Sequence, residues 1–575
     1  MKKRLLFFMF FILLLMINSV LAVENSMTLL AVKETDNGFE GGTAELTLEI
    51  TDGKGRVFLE TSPLTKIDTQ VSTRLAKEIA CKYLETDCSN LDFVYTIKSS
   101  APIVGGPSAG AAMSALTVIT LLDEKFDQKT AMTGTINSGG IVGPVSGIKE
   151  KIEAAKKAGI KKVLIPIGES ITEENNETFD LIKYAKEKGI IVKEIGILND
   201  ALTELLNKEL KKDVNKDVEI NEEYNKIMKQ VSKELCDRTK ELIPPIEKEK
   251  KELNSTINIV NESKLLYEKG DYYSAASKCF SANIRLNNYA NEGISEDLLQ
   301  SKIKVLIEKI KKYDKDITNK KINTIPKLQT FMIVKERINE ASTLLNNANL
   351  SLNNNETVNA IYLYSYSEER FNSAISWSKF FEMEGKELEL SQEVLKESCQ
   401  TKTAEAEERY QYVMEVYPID LEQIKGQIEK ARTEYNNRNY ALCLNSASLA
   451  KANSDSIISS MGTSDEEVLK QIVDLKLKVA KNNIIKEQER GFFPIIGYSY
   501  YEYSSNLKNE SIYSSLLFSQ YALELSSFDV YFTNNNKITF QEKEEGKYEL
   551  FLVYVMGILT GVIITYIVLA KHLDH

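Results

Sequence analysis

Seventeen of the chain's 27 glycines and five of its ten prolines fall within the first 210 of 575 residues. Glycine and proline punctuate turns and interrupt helices, so this imbalance divides the chain into a turn-rich part and a helix-rich part. Over 27–208 an α/β or α+β domain is expected. In it "TAELTLEIT" and "GRVFLE" alternate around "DGKG", which reads as a hairpin. A helix over about Thr69–Leu84 and the strand "LDFVYTI" follow. After "GGPSAGAAM" come a helix, the strand "TAMTGTI", a loop carrying Gly139, Gly140, Gly143 and Pro144, a helix from about Ser146 to Ala158, and the buried strand "KKVLIPI". The charged linker "KKDVNKDVEINEE" then opens an all-α arm over 215–530, where apolar residues recur at helical spacing. There "LYEKGDYYSAASKCFSA" aligns with "EYNNRNYALCLNSASLA", with Tyr267/Tyr435, Tyr272/Tyr440, Cys279/Ala447 and Ala282/Ala450 in register. Small residues at this spacing suit closely packed helical hairpins, as in tetratricopeptide-type arrays, and equally suit ordinary hairpins.

The two ends add expectations about location. Residues 1–22 have a basic start, an apolar run and a small-residue exit, the layout of a secretory signal, with an uncleaved anchor as the alternative. Residues 550–570 hold 21 residues without a charge, enough for one C-terminal transmembrane helix. The expectation is a single-pass membrane protein with an extracytoplasmic body and a cytoplasmic tail. Six cysteines are too few for a disulfide framework. Cys81 and Cys88 are close enough to pair, while Cys236, Cys279, Cys399 and Cys443 read as small apolar core residues.

The chemistry is narrowed mainly by what is missing. A net charge of -11 argues against a nucleic-acid partner. The only two histidines are His572 and His575, so no Ser-His-Asp, Cys-His or His-ligated zinc site forms in the body. No GxxxxGK[ST] loop is present, so no nucleotide is expected, nor any other cofactor or metal. Ser108, in "GGPSAGAAM", is either the cap of a buried helix or a nucleophile, and a nucleophile here needs a lysine or carboxylate base. A lysine base must be neutral, which burial beside apolar groups favours. In "SGIKEKIEAAKKAGIKK" the apolar stripe is Ile148, Ile152, Ala155 and Gly159, and Lys151 alone among the lysines sits on its edge. Such an edge lysine also snorkels in many helices.

The blocks "GGPSAGAAM", "AMTGTI" and "GPVSGIKEKIEAAKKAGIKKVLIP", in that order, resemble the proteolytic domain of the Lon protease family, including membrane-anchored, ATPase-less Lon-like proteins of archaea. The 43-residue step from Ser108 to Lys151 fits that pattern. The resemblance implies a serine–lysine dyad peptidase, with Ser108 as nucleophile, Lys151 as general base, and Thr133 as hydrogen-bond partner of the catalytic amine. It implies backbone oxyanion donors at Gly106 and Ser108, polypeptide substrates and a homo-oligomer. Two positions depart from the family: Gly105 stands where an acidic residue is common, and Thr135 where a glutamate often follows Thr-Gly. Because no ATPase accompanies the domain, unfolded or flexible extracytoplasmic segments are the expected substrates. The alternative is a non-catalytic, membrane-tethered scaffold on a degenerate Lon-type fold.

Overall fold

The computed structural model describes residues 23–35, 38–62, 64–99, 106–174, 177–212, 216–243, 251–387, 390–416, 421–461, 463–527 and 536–537, with Gly557 and Gly561 besides. The segment 1–22, and with it the expected signal, lies outside the described residues.

The α/β part is built on alternation. In β2 (Gly38–Asp52) Ala44, Leu46, Leu48 and Ile50 are buried while Glu45, Thr47 and Glu49 turn away, the period-two pattern of a half-buried strand. β2 lies between β1 (Val23–Thr35) and, beyond the short β3 (Val57–Ser62) and β4 (Thr86–Asp87) in sequence, β5 (Leu91–Ser99). Both neighbours of β2 run antiparallel to it, and β3 pairs with β5 in parallel. "DGKG" is therefore not a hairpin turn. The chain steps over β5 from β2 to the sheet edge, and Asp92 of β5 accepts from the Lys54 and Arg56 N–H groups at 2.7 and 2.9 Å to hold the crossing.

The other half of the sheet is parallel, from β6 (Thr130–Met132) through β9 (Lys162–Pro166) to β12 (Ile191–Ile195), and the seven-stranded order is β12-β9-β6-β1-β2-β5-β3. Among the described residues three small ribbons stand outside it: β7 (Thr135–Asn137) with β8 (Ile141–Gly143), β10 (Ile171–Glu174) with β11 (Glu177–Asp180), and β4 with β13 (Asn536–Lys537). Helices α1 (Ile67–Leu84), α2 (Gly110–Leu121), α3 (Ile148–Lys157), α4 (Leu181–Glu187) and α5 (Leu198–Leu206) complete this part. Every residue of α2 is buried. A helix apolar on all sides belongs in a protein core, and α2 sits between α1, α5 and the sheet strands β1 and β2.

The remainder is helical: α6 (Glu222–Leu242), α7 (Lys251–Lys269), α8 (Tyr272–Ala290), α9 (Glu296–Thr318), α10 (Ile325–Asn353), α11 (Thr357–Trp377), α12 (Gln392–Val416), α13 (Glu422–Asn436), α14 (Tyr440–Ser460), α15 (Glu466–Glu489), α16 (Ile495–Leu507) and α17 (Ile512–Leu525). The two sequence echoes are the hairpins α7–α8 and α13–α14. At each turn an aromatic pair bridges the helices, Tyr267–Tyr272 at 5.1 Å and Tyr435–Tyr440 at 5.6 Å.

Four cysteines read as core residues are instead paired. Besides Cys81–Cys88, disulfides join Cys236 of α6 to Cys279 of α8 and Cys399 of α12 to Cys443 of α14. They close loops of 43 and 44 residues, each worth about 4 kcal/mol on the chain-entropy account. Linear spacing hides such pairs, since the partners meet only when the helices pack.

The C-terminal transmembrane helix is a second correction. No helix among the described residues is long and apolar enough to cross a membrane. The most apolar helix, α2, has only 12 residues, well short of the ~20 a bilayer demands. Residues 550–570 lie outside the described residues apart from Gly557 and Gly561. This goes against the expected single-pass membrane protein with an extracytoplasmic body and a cytoplasmic tail.

The arm folds back onto the α/β part instead of projecting from it. Tyr412, Val413, Ile424, Ile428, Ala450 and Ile458 share one apolar core with α1, α2 and the sheet. Beside that core lies a largely buried ionic cluster of four cations and four anions, exposed at its Lys82 end: Glu78 and Lys82 of α1, Lys402, Glu405 and Arg409 of α12, Lys451 and Asp455 of α14, and Glu524 of α17. Arg409 bridges Glu78 and Asp455 at 3.0 Å each, and Lys451 lies 2.9–3.2 Å from Glu78, Glu405 and Glu524. Burial alone would raise the Glu78 carboxyl, but Lys451, Lys82 and Arg409 hold it well below its ordinary value. Removing one member strands a buried opposite charge, so Glu405→Gln is expected to cost about 3–5 kcal/mol. Urea unfolding of the full chain measures this. Because Glu78 titrates below its unfolded value, its stabilising contribution is present at neutral pH and is lost as pH falls through the folded value.

Candidate active site

α3 presents Lys151 to the interior. Ile148, Ile152, Ala154 and Ala155 anchor it, and Lys151 is only 2 % exposed. The helix starts abruptly because Gly147 adopts a left-handed φ of 69°, and a Cβ there would lie 2.6 Å from Val32. The Lys151 N–H closes the first turn onto the Gly147 carbonyl at 3.0 Å.

The Lys151 amine donates to Thr133 Oγ1 at 3.1 Å. Thr133 is fully buried between β6 and β7, its N–H donating to the Leu164 carbonyl of β9 at 3.0 Å. Its hydroxyl donates onward to the Ser108 carbonyl at 3.4 Å, and the Gly134 N–H reaches the same oxygen at 2.9 Å. The Ala111 N–H donates back to the Gly134 carbonyl at 3.1 Å. This lacing demands close approach, for a Cβ on Gly134 would sit 2.4 Å from Val142.

Ser108 itself lies half-buried in a 3₁₀ turn, Pro107–Ala109, that runs into α2. The structure thus brings Ser108, Thr133 and Lys151 to one place, with Thr133 between the other two. Ser108 Oγ and Lys151 Nζ are not directly hydrogen-bonded. Of the expected oxyanion donors, the Gly106 N–H is already engaged, donating to the Asp68 carboxylate at 3.0 Å. The Ser108 N–H makes no hydrogen bond to a described residue. Gly105 lies outside the described residues.

Burial pushes the Lys151 amine down to about 8, opposed by the charges of Glu169 and Glu150. Glu169, in the turn after β9, is itself pushed up to about 7 by burial and by Glu194, with Lys151 pulling the other way. Glu194 in turn accepts from the Gly168 and Ser170 N–H groups at 3.1 and 3.0 Å, which fixes that turn. Among the described residues no group of His, Cys, Asp or Glu is arranged to hold a metal ion.

Residues 79–208 match the family described as Lon protease (S16) C-terminal proteolytic domain. Ser108, Thr133 and Lys151 all lie within that span. The segment is a Lon-family proteolytic domain. Similar curated proteins include the archaeal Lon protease of Archaeoglobus fulgidus, 32% identical over 164 residues that make up 28% of this chain and 25% of the relative. The Lon protease of Paraburkholderia phytofirmans is 39% identical over 122 residues, 20% of this chain and 15% of the relative. The mitochondrial Lon protease homolog of Bos taurus is 31% identical over 175 residues, 29% of this chain and 16% of the relative. The chain spans no more than a quarter of the length of any of these three.

Two contributors to the Lon-type domain's site escaped sequence reasoning. Asp68 precedes the matched segment and resembles any acid in a first helical turn. Glu169 sits in a turn with no motif of its own. Both act through folded contacts that local pattern does not encode.

The electrostatics give a direct expectation. Followed by nitrogen-15 NMR in the full chain, the Lys151 amine titrates near 8, and Glu169→Gln lowers the midpoint by removing a charge that favours the ammonium form. The unfolded chain keeps this proton up to ~10.4. Folding stability therefore gains from Lys151 as pH rises from about 8 toward that value, and below 8 the buried ammonium is a burden.

Proposed function

We propose that Ser108 and Lys151 form a serine–lysine peptidase site that cleaves unfolded or flexible polypeptide segments without a nucleotide. The observation that carries this reading is the buried Lys151 amine, held by Thr133 beside the Ser108 turn and lowered to about 8. Near that pH about half the molecules hold a neutral amine, able to accept a proton. The match of residues 79–208 to a Lon proteolytic domain supports the same chemistry.

In the reaction, the Ser108 hydroxyl attacks a peptide carbonyl as the neutral Lys151 amine takes its proton. The resulting ammonium is stabilised by the Thr133 hydroxyl and by Glu169, and it returns the proton to the departing nitrogen. The oxyanion forms at the entrance of α2, where the helix end favours negative charge. Ser108 supplies one N–H. For Gly106 to supply the other, its N–H must exchange the Asp68 carboxylate for the substrate oxygen.

An unfolded substrate is preferred because a peptidase cleft needs an extended chain, and these 575 residues contain no GxxxxGK[ST] loop to drive unfolding. The engaged Gly106 N–H is the one observation that favours the other reading, a binding protein on an inactive fold.

The test is hydrolysis of casein and of an unstructured peptide by the full chain with no nucleotide added. Activity is expected, rising with pH through about 8. Ser108→Ala and Lys151→Met are each expected to lower it by at least ~100-fold, the usual scale for losing a general base or its nucleophile. Thr133→Val is expected to lower it by roughly ten-fold, the worth of one lost hydrogen bond to a charged group. Activity surviving both Ser108→Ala and Lys151→Met contradicts the dyad. An unaltered chain inactive at every pH favours the binding reading.

A further inference from the structure

The arm contains a half-open cavity of about 380 Å³ that owes nothing to the Ser108 site. That volume falls in the ~300–1,000 Å³ range of small-molecule sites. Its walls come mainly from α8, α10, α11, α16 and α17, with single residues of α6 and α13 and two of α14, and they are rich in aromatic rings. Tyr273 packs edge-on to Trp377, Tyr500 and Tyr503 at 5.4–6.0 Å, and Phe518 lies 4.7 Å from Tyr503 and 5.3 Å from Tyr500.

Two arginines line the cavity, and they differ in kind. Arg370 is spent on its neighbours, salt-bridged to both Glu336 and Glu340. Arg337 has no carboxylate partner among the described residues. Its Nε donates to Ser373 Oγ at 3.0 Å and its Nη1 makes a long 3.5 Å contact with the Ile333 carbonyl of its own helix. Among the described residues its Nη2 has no hydrogen-bond partner. The guanidinium lies over the Trp377 ring, 4.9 Å from the centroid. Desolvation, followed by the nearby charge of Arg370, holds Arg337 below the ordinary guanidinium range, with the charge of Glu336, which also lines the cavity, pulling the other way. Gln427 and Asn445 add uncharged donors and acceptors to the lining.

We infer that this cavity is a binding site for a carboxylate borne on an aromatic or large apolar body, with the carboxylate on Arg337 and the body among Tyr273, Trp377, Tyr500, Tyr503 and Phe518. Guanidinium matches carboxylate in geometry and charge, and the free edge of Arg337 offers Nη2 for that pairing. The aromatic walls favour a ring or branched chain over a wholly polar acid. Two sources carry this chemistry, the C-terminus of a peptide ending in an apolar residue and a free aromatic acid.

Trp377 is the only tryptophan in the chain, so its fluorescence reports on the cavity directly. The full chain carrying Ser108→Ala, which leaves peptide probes uncut, is titrated with N-acetyl-phenylalanine, its C-terminal amide, and a hexapeptide ending in phenylalanine. A saturable change with the acid is expected, about ten- to hundred-fold weaker with the amide, as loss of a charge-assisted contact dictates. Arg337→Gln is expected to weaken the acid by a similar factor. Tighter binding of the hexapeptide than of the short acid assigns the site to chain termini, and the reverse order assigns it to small acids. Equal response to acid and amide in the unaltered cavity overturns the inference, and that comparison does not depend on how the variant folds. So does unchanged binding in Arg337→Gln, or no saturable response to either acid. Because none of these readouts uses hydrolysis, they stand or fall apart from the Ser108 reading.

Discussion

The burial of the Lys151 amine against Thr133 is the contact on which the site is organised. A lysine in that position has surrendered most of its hydration, and the Thr133 hydroxyl and a partly protonated Glu169 return only part of it. The cost is sustained by the surroundings. Gly147 sets where α3 begins, the apolar residues of α3 fix its rotation, and β6 to β9 hold Thr133 by its backbone. Thr133 and Gly134 then secure the carbonyl of Ser108, so Lys151 and Ser108 are linked through Thr133.

The arm bears on this arrangement from outside. Four residues beyond Thr133, Asn137 donates to the Asp455 carbonyl and to Ser459 Oγ at 2.6 Å each, and Ser138 Oγ donates to the Asp455 carboxylate. Asp455 is also the partner of Arg409 in the buried ionic cluster. One aspartate of α14 therefore joins the ribbon after Thr133 to the charges that fasten α1 to α12, α14 and α17. A paired cluster of this kind is costly to disturb at any single member, which makes the arm a brace for the strands behind the site as much as an appendage to them. On the other side of the site, Val468 of α15 lies against Gly168, in the turn that carries Glu169.

Local chemistry was readable from the residues, and long-range contact was not. The alternation of β2 and the apolar stripe of α3 are properties of short segments, and the structure shows both as strand and helix periodicity require. The "DGKG" turn misled because a hairpin and a strand crossover share turn residues, and only the insertion of β5 separates them. Cys236–Cys279 and Cys399–Cys443 form where helices distant in sequence meet. The Asp68 bond to Gly106 and the fold-back of the arm are tertiary events of the same sort. The apolar run at 550–570 was read by length and hydropathy alone, and no helix among the described residues has those properties.

The central claim is that Ser108 is made reactive by Lys151, and covalent capture tests it most directly. The full chain is treated with a fluorophosphonate at pH 8 and the adduct located by mass spectrometry. The account predicts a single modification on Ser108, absent when Lys151 is replaced by methionine. Labelling of Ser108 that persists without the lysine, or a chain whose Ser108 stays unmodified, contradicts it.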